Sequence, residues 1–407
     1  MFFSKLFSRR SAVSLFGFLF FLIVSCEKQN SVNSFPISQD RKEIAFYGNT
    51  WIAYDETFFS IYTPASEKNS NLQKSLNLKQ NLSGRTTTSA GCKSCHETIY
   101  KNWYSSRHRV AFTNELYQEA HKREPSAWCL NCHSPFLKPG GDSSKIEDRV
   151  LSEEGVSCIT CHVRNGKIIT SEISNVEKNS PKNLHQYEFR KDMSESEYCS
   201  KCHDFPYPID ETVSKSEVLF SKNWMQSTYQ EWKQSSHSKT ETCQDCHLEA
   251  GSRSSHSFWG GHSPDKLKES FSLSIQKLEG TMYDFEIRSE FIGHSFPTGD
   301  VFRTIEVEVF DGKNFVTSHK WKKTIGNLQP EFREKNSPSK YLVEDNRISY
   351  PTDSLLPKRN FQFSYADRKN FQVHLKILYT QNGNELFHSE SENSKLFSKT
   401  TVVVQSF

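Results

Sequence analysis

The chain has 407 residues, of which 35% are hydrophobic, and its 51 basic and 48 acidic side chains leave a formal net charge of +3. This length is enough for two or three domains, but the apolar content allows only a modest hydrophobic core. A charge balance this close to neutral gives no support to a nucleic-acid-binding protein.

The N-terminus has the pattern of a bacterial export signal. Three basic residues precede an apolar stretch, residues 12–24, which is too short to span a bilayer comfortably. The aliphatic and small residues before Cys26 resemble the lipobox at which a lipoprotein signal is cleaved. We therefore predict a signal peptide over residues 1–25 and acyl chains on Cys26 that hold the mature chain to a membrane. An ordinary signal peptide with a chance cysteine is the alternative.

Residues 26–90 are polar, and part of this segment is of low complexity, rich in Ser, Asn, Lys and Gln. Such a composition cannot bury much apolar surface, which is typical of a flexible connection. We predict a lipid-anchored polar tether that leads from the membrane to the first folded domain.

Ten of the 11 cysteines fall into five Cys-x-x-Cys-His motifs, which follow one another at intervals of 29 to 44 residues. The cysteines are Cys92, Cys95, Cys129, Cys132, Cys158, Cys161, Cys199, Cys202, Cys243 and Cys246, and the histidines are His96, His133, His162, His203 and His247. Two cysteines in this spacing can bond to the vinyl groups of a porphyrin, and the adjacent histidine then binds the iron. Structural zinc or a thioredoxin-like redox pair is the alternative, but zinc needs no histidine after every second cysteine. The motifs predict five covalent c-type hemes.

Hydrophobic periodicity between the motifs is weak. Short helices are predicted at residues 97–112, 114–122, 194–202 and 219–234. So little protein per motif cannot bury much side-chain area, and we expect the porphyrins to supply the core. Residues 91–264 therefore read as a mainly α or irregular multiheme cytochrome c domain that is dominated by its hemes.

Beyond Pro264 apolar and polar residues alternate with the period of strands. The strand-like runs are residues 272–275, 283–287, 304–309, 371–377 and 401–404. Asp311-Gly312 and Asn382-Gly383 are typical hairpin turns. We predict an all-β, sandwich-like domain of about seven short antiparallel strands over residues 265–407.

A second axial ligand for each iron has to come from the ten histidines outside the motifs. These are His108, His121, His185, His237, His256, His262, His294, His319, His374 and His388. Two of them share the frame Tyr-x-x-Trp-x-x-Ser-x-His, at residues 100–108 and 229–237. The aromatic pair would lie on one helix face and direct the histidine at the helix end toward an iron. Any single histidine could instead be an ordinary surface residue.

The order of the motifs and their flanks resembles the multiheme cytochromes whose heme domain is like that of cytochrome c-554, related to hydroxylamine oxidoreductase. The likeness rests on residues 103–111, 128–135, 154–162, 199–203, 237–247, 256–261 and 293–299. It implies His108, His185, His237, His256 and His294 as distal ligands, with His121 and His262 in reserve. The fifth motif and the β-rich domain depart from the tetraheme pattern and put the pairing of ligands in doubt. The segment 293–299 could be a simple turn, and His121 could lie on a polar helix face.

Hemes that carry two histidines have no free site for a substrate, so the leading interpretation is an electron carrier. Its expected partners are a quinol-oxidising complex, a periplasmic cytochrome or a terminal reductase. The alternative is an enzyme that acts on a small nitrogen or sulfur compound at one five-coordinate heme, and a heme-bearing binding module is a third possibility. We expect the chain at the periplasmic face of a bacterial membrane, and Glu27 after Cys26 slightly favours the outer membrane.

Overall fold

The computed structural model describes most of the chain after residue 88. The described residues are 33–34, 43–46, 49–53, 89–93, 96–123, 125–137, 140–141, 144, 146–164, 167–171, 187–208, 219–248, 255–327, 340–349, 357–366, 370–381, 384–385 and 400–406. The predicted signal peptide, Cys26, Cys95, His185 and His388 lie outside them.

The first half of the described chain is built from short helices that surround a cavity. The helices are α1 Ala90–Lys93, α2 Glu97–Tyr104, α3 Glu115–Arg123, α4 Leu130–His133, α5 Ile146–Glu154, α6 Cys158–His162, α7 Glu197–His203, α8 Thr228–Gln234, α9 Cys243–His247 and α10 Pro264–Ser270. Single 3₁₀ turns lie at Ala127–Cys129, Lys191–Ser194 and Ser236–Lys239. The predicted helices at 114–122 and 194–202 are confirmed within a few residues.

Two helix predictions need correction. The helix predicted over 97–112 ends at Tyr104, where the hydroxyl of Ser105 donates to the carbonyl of Asn102 over 2.9 Å. The prediction for 219–234 is wrong in its first half, because Leu219–Ser227 forms a strand and only Thr228–Gln234 is helical. That strand pairs with Asp204–Pro208, and this tertiary pairing outweighs the local helical pattern.

Small sheets connect the helices. Their strands are β1 Asn33–Ser34, β2 Glu43–Phe46, β3 Asn49–Ala53, β4 Val163–Arg164, β5 Lys167–Thr170, β6 Tyr187–Phe189, β7 Asp204–Pro208 and β8 Leu219–Ser227. They pair in the orders β1-β8-β7, β2-β3 and β4-β5-β6.

The second half is a β-sandwich, as predicted. Its strands are β9 Phe271–Lys277, β10 Met282–Ser289, β11 Arg303–Asp311, β12 Asn314–Asn327, β13 Lys340–Asp345, β14 Lys358–Ser364, β15 Phe371–Gln381, β16 Asn384–Glu385 and β17 Thr400–Ser406. One sheet has the order β14-β10-β9, and the other has the order β13-β12-β11-β15-β16 with β17 also paired to β15. All five predicted strand runs are confirmed. The described strands number nine rather than about seven.

A hydrophobic core lies between these two sheets. Tyr283 on one sheet contacts Phe371 on the other, with ring centroids 5.0 Å apart, and Phe285 faces Trp321. Alternate residues of β10 are buried, which is the expected result of the strand period. In β11 the four consecutive residues 304–307 are all buried, and the alternation appears only after them. No helix among the described residues has the length and apolar character needed to cross a membrane.

Candidate functional site

A large cavity runs through the helical half of the structure. Its volume is about 1680 Å³, and its walls include all five motif histidines. The predicted ligands His108, His237, His256 and His294 line it too, as do the reserves His121 and His262. The volume exceeds that of an ordinary small-molecule pocket, which holds roughly 300–1,000 Å³, so the cavity can contain several large groups.

Two of the Cys-x-x-Cys-His motifs coincide with one-turn helices, α6 and α9, and the fourth motif ends the longer helix α7. In α6 and α9 the first cysteine follows a capping residue, Ser157 and Thr242 respectively. Thr242 and Asp245 form a reciprocal capping box in which the Thr242 amide donates to the Asp245 carboxylate over 2.8 Å. Because residues three and four positions apart share a helix face, each helix presents its two cysteines and its histidine to the cavity together.

The motif histidines are held through one ring nitrogen. Nδ1 of His133 donates to the carbonyl of Ala111 over 2.7 Å, and Nδ1 of His247 donates to that of Trp259 over 2.7 Å. The corresponding distance from His162 to the carbonyl of Ile169 is 3.3 Å. These bonds orient the rings and place Nε2 on the opposite side, where it can bind a metal, the arrangement found around protein-bound metals.

Several histidines in the cavity have a lowered pKa, which favours the neutral imidazole. Burial lowers the pKa of His108 to about 3, and burial lowers the pKa values of His133, His203 and His294 to about 4. Neighbouring histidines add to this effect for His108 and His294. A neutral imidazole is the form that binds a metal.

Three pairs of imidazoles face each other across the cavity at one spacing. The ring centroids are 6.1 Å apart for His108 and His203, 6.0 Å for His162 and His256, and 6.2 Å for His247 and His294. An iron between two imidazoles separates their centroids by roughly 6 Å, because each metal–nitrogen bond is about 2 Å and each nitrogen lies about 1 Å from its ring centre. The residues present therefore fit iron porphyrins with two axial histidines at three of the motifs.

The histidines outside these three pairs include two predicted ligands, His96 and His237, and two expected surface residues, His319 and His374. Nδ1 of His237 lies 2.5 Å from a carboxylate oxygen of Glu241, and the His237 Cβ lies against Gly293. His96 is exposed, next to the undescribed Cys95. His319 and His374 lie in the β-sandwich, stacked on Phe361 and tilted against Phe310 respectively, and neither lines the cavity.

An aromatic residue that the sequence analysis did not select lies beside His133. The ring of Tyr117 stacks on that imidazole at 3.8 Å, and His121 stacks on Tyr117 at 5.3 Å. The Tyr117 hydroxyl and Nδ1 of His121 are buried and have no hydrogen-bond partner among the described residues. Orphaned polar atoms beside a cavity are what a polar edge of a bound group, such as a propionate, would satisfy.

Cysteines of different motifs lie next to one another. Cys92 lowers the pKa of Cys158, Cys132 raises that of Cys202 and Cys243 raises that of Cys199, so the sulfurs of each pair lie close together. The described cysteines form no disulfide with each other. Since each pair joins two motifs, the groups attached to those motifs would be neighbours.

Phe258 is a further residue that the sequence analysis did not select as part of the site. It lies edge-on to His108 with centroids 4.2 Å apart, and its backbone has a φ of 47°. A positive φ is unfavourable for a bulky side chain, so the packing around Phe258 has to hold it there. The signal was its place between His256 and Trp259, within a segment that carried the family resemblance.

Comparison with known proteins gives two matches. Residues 91–163, which hold the first three motifs, match the family described as cytochrome c554 and c-prime. The penta-heme cytochrome c552 from Thermochromatium tepidum is similar in structure, with a TM-score of 0.58, 17% sequence identity, and coverage of 79% of this chain and 98% of that chain. No curated protein sequence matches this chain significantly. At this identity the structural likeness shows a shared fold.

Proposed function

We propose that this chain is a multiheme c-type cytochrome that carries five covalent hemes and transfers electrons. The single observation that carries the proposal is the set of three imidazole pairs spaced by 6.0 to 6.2 Å, each with one motif histidine. The match of residues 91–163 to a cytochrome family supports heme as the cofactor. Heme supplies a one-electron couple whose potential the protein adjusts through ligands, burial and nearby charge.

In this proposal each motif contributes two cysteines and one proximal histidine. The distal ligands are His108 opposite His203, His256 opposite His162, and His294 opposite His247. His185 and His237 complete the set for His96 and His133. Hydrogen bonds on Nδ1 hold the proximal rings of His133, His162 and His247 in place. Burial lowers the pKa of His108, His203 and His294, which favours the unprotonated, ligating form.

The adjacency of the motif cysteines supports a continuous path for electrons. Cys92 and Cys158 connect the first motif with the third, and Cys199 and Cys243 connect the fourth with the fifth. Cys132 and Cys202 connect the second motif with the fourth. Cys161 interacts electrostatically with Cys199 and Cys202, which links the third motif to the fourth. An electron that enters at one end can thus reach every other motif through neighbours.

The replacement His294→Ala tests the proposal at one heme. We expect this heme to change from low spin to high spin in the electron paramagnetic resonance spectrum of the oxidised protein, because one of two axial ligands is lost. The intact mass should still show five hemes, since the cysteines are unchanged. His374→Ala, in a strand of the sandwich, is the matched control and should leave the spectrum as it was. Five low-spin hemes in the His294→Ala protein would contradict this ligand set.

Catalysis at one open heme is the second candidate function. The observation that favours it is the stack of Tyr117 on His133 with its orphaned hydroxyl, which gives this motif a surrounding unlike that of the three paired histidines. The substrate class would be a small nitrogen or sulfur compound. A high-spin signal in the unmodified protein that is lost on addition of nitric oxide would support this candidate, and five low-spin hemes would exclude it.

The proposed location is the periplasmic face of a bacterial membrane, with acyl chains on Cys26 as the anchor and the outer membrane slightly favoured. The proposed partners are redox proteins: a quinol-oxidising complex, a periplasmic cytochrome or a terminal reductase. An electron carrier on a lipid tether can reach partners in the membrane and in the periplasm.

A further inference from the structure

A buried ionic network lies where the helical half meets the β-sandwich. Arg347, at the end of β13, contacts Glu231 of α8 at 2.8 Å and Asp345 at 2.6 Å. The side chains of Arg347 and Glu231 are only 5% and 11% exposed. Lys323 of β12 belongs to the same junction and donates to the carbonyl of Trp224 over 3.1 Å.

Both Arg347 and Glu231 form hydrogen bonds with the loop that carries His294. Arg347 donates through Nη1 to the carbonyl of Pro297 over 3.0 Å, and the hydroxyl of Thr298 donates to Glu231 over 2.6 Å. Thr298 also bonds Thr228, at the start of α8, over 2.8 Å. The position of His294 therefore depends on a helix from one half and a strand end from the other.

Each carboxylate of the network is ionised. Although burial acts to raise it, the pKa of Glu231 is lowered, chiefly by the nearby Arg347. The pKa of Asp345 is lowered in the same way, against burial, by its hydrogen bonds to Arg347. Burial and the nearby His247 lower the pKa of His294, while Glu231 acts to raise it and Arg347 acts to lower it. The charges of Glu231 and Arg347 therefore act on the His294 imidazole in opposite directions.

We propose that Glu231 and Arg347 are positioning residues that also set the reduction potential of the heme held by His247 and His294. The proposal rests on the function proposed above. A buried carboxylate near an iron favours the oxidised state, which has one more positive charge, and therefore lowers the potential; a buried guanidinium does the opposite. The ion pair keeps the two effects in balance while it fixes the His294 loop.

The test is a redox titration of the full, heme-loaded chain and its variants at mildly alkaline pH. The heme in question is identified as the one that His294→Ala makes high spin. Glu231→Gln removes the negative charge with little change in shape, and the potential should rise. Arg347→Gln removes the positive charge, and the potential should fall. Arg347→Lys retains the charge and should keep the potential close to that of the parent.

Glu286→Gln is the matched control, because it removes the same charge from an exposed ion pair with Lys358, at 3.1 Å, in the sandwich. It should shift no potential measurably. Shifts of the same sign in Glu231→Gln and Arg347→Gln, or no shift in Glu231→Gln, would overturn the proposal even if all five hemes are present. Failure to bind hemes in the unmodified protein would instead overturn the proposed function. If Arg347→Gln does not fold, the comparison of Glu231→Gln with its control Glu286→Gln still tests the proposal.

Discussion

At the scale of single residues, two histidines with the same sequence frame have different surroundings. His108 faces His203 across the cavity, and its backbone carbonyl accepts a hydrogen bond from the amide of Val156 over 2.9 Å. His237 instead places Nδ1 on the carboxylate of Glu241. Either arrangement leaves Nε2 available. The frame therefore predicts that a histidine lies near a helix end. Which residue the histidine contacts depends on the segments that pack around it.

Glu154 is a buried carboxyl whose protonation should be visible in the stability. Its carboxylate accepts hydrogen bonds from the amide and the hydroxyl of Ser89, each 2.8 Å long, at the start of the helix that carries Cys92. Burial raises the pKa of Glu154 from 4.5 to about 7, despite these hydrogen bonds. Because the folded state holds the proton more tightly than the unfolded state, this carboxyl stabilises the fold below pH 4.5, and the contribution is lost as the pH rises to about 7.

We therefore expect Glu154→Gln to remove part of the pH dependence. Relative to the variant, the parent protein should lose up to about 3 kcal/mol in the free energy of unfolding over this pH window, since one pKa unit corresponds to about 1.4 kcal/mol. Denaturant unfolding at the two ends of the window measures the difference. Glu153→Gln, at the neighbouring exposed position, is the control and should behave like the parent. A parent and variant with parallel pH profiles would show that Glu154 does not titrate there.

At the scale of elements, the sequence analysis succeeded where one periodicity was enough and failed where distant contacts decide. The run in β10 alternates buried and partly exposed residues along the strand, so the period of two identified it. In contrast, Leu219–Ser227 is a strand only because Asp204–Pro208 pairs with it, which no local pattern reveals. The five motifs were found from their spacing alone, and the covalent heme at each of them stays a prediction. The pairing of histidines depends on the three-dimensional path of the chain and could not be read from spacing.

The close approach of Gly155 to the His108 segment can be tested. Gly155, after α5, has a φ of +54°, and a Cβ placed there would lie 2.7 Å from the carbonyl oxygen of His108 and 2.9 Å from that of Arg109. We expect Gly155→Ala to push the His108 segment outward, because backbone atoms cannot yield as a flexible side chain can. The thermal midpoint should fall, and the heme opposite His203 should lose its low-spin signal.

Gly280→Ala is the matched control for this prediction. Gly280 also has a positive φ, +62°, but nothing lies within 4 Å of its added Cβ. It should show only the backbone cost of a left-handed alanine, roughly 1–2 kcal/mol, with an unchanged spectrum. Equal effects of the two replacements would mean that Gly155 is needed only for its positive φ and not for the close approach of the His108 segment.

At the scale of the whole molecule, the predicted anchor can be separated from the folded part. If acyl chains on Cys26 hold the protein to the membrane, Cys26→Ser should release it into the soluble periplasmic fraction with all five hemes still bound. Cell fractionation with immunoblotting measures the distribution, and heme staining of the same gel checks attachment. A variant that stays on the membrane through a high-salt wash would contradict lipid anchoring at this residue.

The two halves of the molecule should differ in their dependence on heme. A continuous hydrophobic core, built from residues between Leu267 and Ile377, lies within the sandwich and its entry helix. The helical half instead surrounds a cavity of about 1680 Å³ that its own side chains leave unfilled. Because a well-packed interior has few voids larger than a water molecule, large apolar groups have to occupy that space before the short helices are stable.

We therefore expect a chain produced without heme attachment to be cleaved rapidly by protease within residues 89–264, while a fragment that begins near Pro264 survives. Mass spectrometry of a proteolysis time course would identify the fragment, and the loaded protein is the control that should resist at both places. The loss of the Glu231 side of the Arg347 network should weaken the surviving fragment somewhat, since Arg347 then keeps only Asp345 as its buried charged partner. Equal protection of both halves without heme would mean that the helical half has a core of its own. Equal loss of both halves would mean that the sandwich depends for its stability on its junction with the helical half.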